Sequence, residues 1–157
     1  MRLSSCIRRF FDQYLPHIKG VSPHTVKAYR DTFRLLLPFA AKYHGIKFES
    51  LRLEHFSSDL ILSFLNQLEK ERNNRPVTRN SRLAAIKSFA KMIRFICPQQ
   101  HALAETILNI PQKRSLKPLV GFLYNDEILK VFGSVDIRSK EGFRDYTLLH
   151  LLYDSGA

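Results

Sequence analysis

Two points along this chain gather hydroxyls, amides and cations, and the chemistry those groups can do together is phosphate binding. Ser22, Thr25 and Lys27, with Arg30 following, stand at one predicted helix start. Thr78, Arg79, Asn80 and Arg82 stand at a second, with Lys87 and Lys91 further along the same helix. The first turn of a helix presents N–H groups without intrahelical partners, so hydroxyls and cations placed there suit a phosphate oxygen. The plainer reading is that Ser22 and Thr78 are N-caps and Tyr29 a core residue. Covalent chemistry has no comparable support. There is no glycine-rich phosphate loop, no histidine cluster at metal-ligand spacing and no nucleophile motif, so no catalytic residue, metal ligand or cofactor is assigned.

Charge points the same way. The formal net charge is +11, and all of the excess lies in residues 1–100, which hold 18 Lys or Arg against 7 Asp or Glu. Between Arg72 and Ala104 seven basic residues occur without one acidic residue. A polyanion is the partner such a surface selects, because each neutralised phosphate releases condensed counterions. The apolar run at Leu35–Leu37 is interrupted by Pro38, far short of the ~20 residues of a membrane span. No secretory signal is read at the N-terminus, and Cys6 and Cys97 have neither metal-ligand spacing nor a disulfide framework. The expectation is a cytoplasmic protein with no membrane partner and no small-molecule substrate.

The elements that must position these groups are helical almost throughout. Ile7, Phe10, Phe11, Tyr14 and Leu15 predict a short helix ended by Pro16. Ser22 as N-cap and Pro23 at the first helical position open a second helix, with Val26, Tyr29, Phe33, Leu36, Leu37 and Ala40 inward and Pro38 as a kink. A third is predicted over 58–71 and a fourth over 78–96, the latter burying Leu83, Ile86, Phe89, Ala90, Ile93 and Ile96. A short fifth closes at Pro111, and residues 111–121 read as an extended basic linker. Beyond it, helices from Asn125, as cap, to Phe132 and from Gly142 to Leu152 are too few to bury a core. The fold expected is all-α: a four-to-five-helix bundle over 1–110, then the linker, then the incomplete start of a second domain over 122–157.

Three stretches resemble the tyrosine recombinases, the family of phage integrases and Xer-type enzymes. Ser22-Pro23-His24-Thr25-Val26-Lys27-Ala28-Tyr29 is similar to a helix start in the family's core-binding domain. Thr78-Arg79-Asn80-Ser81-Arg82-Leu83-Ala84-Ala85-Ile86-Lys87-Ser88-Phe89 resembles its Thr-x-Asn-x-x-Leu-x-Ala-Ile-Lys-x-Phe helix. Arg144-Asp145-Tyr146-Thr147-Leu148-Leu149-His150-Leu151-Leu152-Tyr153-Asp154-Ser155-Gly156 resembles the segment preceding the family's first catalytic arginine, which would be the residue after Ala157.

The resemblance implies a SAM-like core-binding domain forming half of a clamp on double-stranded DNA, in a protein serving DNA integration and recombination; by the same analogy such helices face the major groove, where Asn80, Arg79 or Lys27 could also touch base edges. Full-length recombinase protomers are a further implied partner. The family's chemistry, attack of a tyrosine hydroxyl on a phosphate assisted by two arginines and His or Lys groups, finds no counterpart here. None of the six tyrosines sits in a suitable box, and a lone hydroxyl of pKa near ~10 is a poor nucleophile. The chain by itself is therefore expected to be inert, a truncated DNA-binding portion. The competing reading is an all-helical protein-interaction or interfering module whose charge serves an acidic partner.

Overall fold

The computed structural model describes residues 2–115 and 121–156, so the centre of the expected linker, residues 116–120, lies outside the described residues. Seven α-helices and no strand occur among them: α1 Leu3–Arg9, α2 Pro23–His44, α3 Ser58–Arg72, α4 Pro76–Ile96, α5 His101–Leu108, α6 Asn125–Gly133 and α7 Lys140–Ser155. None is long and apolar enough to cross a membrane. The chain divides into two compact units, residues 1–115 and 116–157.

The first unit is built around four fully buried phenylalanines from different elements. Phe10 meets Phe89 edge-on at 5.4 Å between ring centroids, Phe33 meets Phe89 at 5.3 Å, and Phe56 meets Phe89 at 5.4 Å. Offset and edge-to-face rings satisfy the aromatic quadrupole, and each buried ring contributes about 1.5–3 kcal/mol through area alone. α3 adds Leu60, Ile61, Phe64 and Leu65, and α5 closes the core with Ala104 and Ile107. Leu51, Leu53 and Phe56 enter it from two short 3₁₀ turns between α2 and α3, in a stretch without helical period.

Helix starts and stops follow local chemistry, with three corrections to the sequence expectation. Pro16 does not end the first helix. Beyond α1 the chain continues as a π-helical stretch over Phe10–Ile18, in which Lys19 N–H donates to Tyr14 O at 2.9 Å. An α-register would set the Pro16 ring against the Asp12 carbonyl; the wider register relieves that clash, while the N–H that proline lacks leaves one rung of the ladder unmade. Thr78 is not the cap of α4, which begins two residues earlier with Pro76 at its first position. Asn125 is likewise inside α6, whose N-cap is Tyr124, with the Tyr124 N–H donating to Glu127 Oε2 at 2.8 Å.

Ser22 caps α2, which runs through Pro38 to His44 and stops at Gly45 in the left-handed region (φ 63°). Asn73, also left-handed (φ 49°), stops α3.

In the second unit Ser139 caps α7 by accepting from Gly142 N–H at 3.0 Å. Phe132 of α6 stacks on His150 of α7 at 4.1 Å between centroids. No described residue of α6 or α7 is buried, and Leu148, Leu151 and Leu152 remain about half exposed or more.

Candidate nucleic-acid interface

At the start of α2 the two hydroxyls are organised by each other. Ser22 Oγ accepts from Thr25 N–H at 3.3 Å and lies 3.1 Å from Thr25 Oγ1. One of the helix's orphan donors is thereby satisfied inside the chain, and Ser22 itself stays exposed. Lys27 and Arg30 follow on the exposed side. The Arg30 guanidinium carbon stands 5.6 Å from the centroid of the Phe11 ring, a cation–π contact that orients it without neutralising it. Lys27, Arg30, Asp31 and Arg34 line one open groove together with Pro16 and Val26.

The start of α4 is different. Its N-cap is Arg75, whose side chain makes no capping bond, and Thr78 lies exposed in the first turn. A first turn without a side-chain cap leaves its N–H groups to an outside acceptor.

Arg79, expected to face a phosphate, is turned inward and is only 4% exposed. Its Nε lies 3.8 Å from Glu69 Oε1, and among the described residues neither Nε nor Nη1 has a hydrogen-bond partner. Asn80, expected to reach base edges, spends its amide within the chain. Its Nδ2 donates to Lys113 O at 2.7 Å and its Oδ1 accepts from Lys113 N–H at 3.0 Å. Lys113 Nζ in turn donates to both oxygens of Glu69, at 2.9 and 2.7 Å. Direct contact with DNA through Arg79 or Asn80 does not fit these positions: one side chain is enclosed and the other is occupied.

Arg82 is half-buried near Asp31 of α2 and Arg72 at the end of α3. Burial lowers its pKa, Arg72 lowers it further and Asp31 opposes them, while the guanidinium stays charged throughout. Arg72 and Arg34 line a common groove between α2 and α3. The structure thus joins Lys27, Arg30 and Arg34 of α2 to Arg72 and Arg82 in one basic surface. Lys87 and Lys91 stand elsewhere. At 3.6 residues per turn, Lys91 lies two and a half turns from Arg82, on the opposite side of α4. Burial, then Lys91, pulls the Lys87 pKa down. On that outer side Arg94 is paired with Glu105 of α5 at 2.8 Å.

Sequence reasoning missed Glu69 and Lys113 because their meeting with Arg79 and Asn80 is tertiary: Asn80 and Lys113 are 33 residues apart. It also left Arg34 and Arg72 out of the site. The available signal was that Arg72 follows directly on the last turn of a periodic apolar helix, a position from which a long side chain reaches the neighbouring helix. Among the described residues no group of His, Cys, Asp or Glu is arranged to hold a metal ion.

Comparison with known proteins identifies residues 7–94 as matching the phage integrase N-terminal SAM-like domain. The chain is 36% identical over 155 residues to y4rD of Sinorhizobium fredii, named as an integrase/recombinase, covering 99% of this chain and 55% of that protein. It is 35% identical over 154 residues to y4rC of the same organism, also named as an integrase/recombinase, covering 98% of this chain and 46% of that one. Tyrosine recombinase XerC of Oceanobacillus iheyensis is 29% identical over 150 residues, covering 93% and 45% of the two chains. The chain therefore spans about half the length of these relatives. No solved structure matches it.

Proposed function

Because this chain belongs to the phage integrase family of tyrosine recombinases, we propose that it supplies the DNA-gripping portion of a site-specific recombinase. Residues 1–110 form the grip, residues 111–121 the linker, and residues 122–157 the opening of a catalytic domain. The reading rests above all on the surface that joins Lys27, Arg30 and Arg34 to Arg72 and Arg82, where five cations from three helices outnumber two acidic residues, Asp31 and Glu71.

Duplex DNA fits that surface through its phosphates. The cations supply affinity and orientation, the first turn of α4 offers uncapped N–H groups with the Thr78 hydroxyl beside them, and the Ser22–Thr25 pair offers hydroxyl oxygens at the start of α2. Such contacts position the protein on DNA but carry little sequence information. No residue of the chain is given a role in strand cleavage; what these residues do is bind and orient. The partners proposed are double-stranded DNA and other recombinase protomers, met in the cytoplasm.

Fluorescence anisotropy of the chain with a labelled duplex, repeated over a series of salt concentrations, tests the reading. If the five cations each neutralise one phosphate, the logarithm of affinity falls against the logarithm of salt with a slope of about −4.5. Absence of duplex binding at low salt would sink the proposal in favour of a protein-interaction module.

A further inference from the structure

The segment that leaves the first unit is exposed from Pro111 to Ser115, yet it is held. Ile110, 4% exposed, is the last residue that core packing anchors. Three residues later Lys113 is tied at both backbone groups by the Asn80 amide, and its ammonium is tied by Glu69. An asparagine side chain carries a carbonyl and an NH₂ in the arrangement of a peptide group, so it can pair with one residue's N–H and C=O as a neighbouring strand would.

We propose that Asn80 and Glu69 form a clasp that fixes where the linker departs from the helical unit, making Asn80 a positioning residue. Glu69 serves two cations, the enclosed Arg79 and the half-exposed Lys113, which couples the clasp to the packing of α3 against α4. The clasp moves the point of departure from Ile110 to Lys113. Those three residues represent about 10 Å of extended chain, length that would otherwise add to the tether between the two units. For two units that must engage one ligand together, tether length sets the effective concentration of the second contact. The geometry of the clasp is independent of the DNA reading; only this last consequence rests on it.

Hydrogen exchange of the Lys113 amide in the full chain, with trypsin cleavage after Lys113 and Arg114 as a second readout, tests the clasp. The wild-type amide is expected to be protected. In Asn80→Ala, exchange and cleavage rise roughly tenfold, from the loss of two modest hydrogen bonds. Asn80→Asp keeps the acceptor and loses the donor, giving an intermediate result. Lys113→Ala removes the ammonium and leaves the backbone pairing, so protection largely persists. The thermal melt of each variant's helical signal separates local release from unfolding. A wild-type Lys113 amide exchanging at the unprotected rate, or equal protection in a folded Asn80→Ala chain, would overturn the clasp.

Discussion

Arg79 Nε stands 3.8 Å from Glu69 Oε1, with the two side chains retaining only 5% and 18% of their exposure. An enclosed guanidinium beside a carboxylate that also serves Lys113 belongs to the packing of α3 on α4. Removing one partner of such a pair leaves the other charge uncompensated. Glu69→Gln is therefore expected to destabilise the chain by about 2–4 kcal/mol, seen as a lower urea midpoint at unchanged m. Arg79→Met, which keeps the stem's packing and leaves Glu69 paired with Lys113, should cost less. It should also leave the salt slope of DNA binding unchanged; a flatter slope would return Arg79 to the interface.

Arg82, three residues on, has the opposite expectation. Replacing Lys27, Arg30 or Arg82 singly with Ala should flatten the salt slope by about 0.9 per lost phosphate contact. The double change Lys87→Ala, Lys91→Ala, on the far side of α4 from Arg82, should change it less than any one of these. Anisotropy titrations at four or five salt concentrations decide the matter, and a larger effect from the Lys87–Lys91 pair would move the DNA to the outer face.

In the second unit, a Cβ on Gly142 would collide with the backbone carbonyl of Asp136. Gly142→Ala should push the start of α7 away from the preceding turn at a cost of about 1–3 kcal/mol. Ser139→Ala, removing the cap that receives the Gly142 N–H, should cost about 1 kcal/mol. Because α6 and α7 bury no described residue, the readout is amide exchange within 140–146 rather than a global melt. Unchanged exchange in both variants would contradict this account of the helix start.

The two thiols should behave differently. Burial, with Cys97 nearby, pushes the Cys6 thiol above its ordinary value of 9.0. A raised folded value means that the native state holds this proton more tightly than the unfolded chain. The corresponding stability is complete below the unfolded pKa near 9 and is lost as pH rises toward the folded value. At pH 8 a maleimide should therefore label half-buried Cys97 first and reach Cys6 only as the chain opens. Equal labelling rates in native buffer would refute the assignment.

The sequence was most informative where local chemistry decides. Ser22 followed by Pro23 specifies a helix start through one hydroxyl and one ring, and Gly45 specifies its stop through a left-handed backbone. The apolar spacing of Leu83, Ile86, Phe89, Ala90 and Ile93 identifies the buried side of α4 because helical period and burial are the same geometric fact. It failed at Pro16, where a change of register absorbs a proline that rules for the α-helix forbid. It also failed at Leu51, Leu53 and Phe56, whose irregular spacing carries no period to read.

For the site, composition and order alone determined that the chain is basic in its first two-thirds, helical, and similar to the integrases. The division of labour among the basic residues was decided by the tertiary structure. Arg79 and Arg82 are the same residue type three positions apart, and a sequence gives no reason to separate them. Glu69 lies across the α3–α4 contact from Arg79, while half-buried Arg82 feels the charges of Asp31 and Arg72, so one cation serves packing and the other adds to the basic surface. Asn80 is settled the same way, by a linker residue 33 positions away whose backbone happens to lie within reach of its amide. Local propensity is written residue by residue, but which charge meets which depends on how the helices pack.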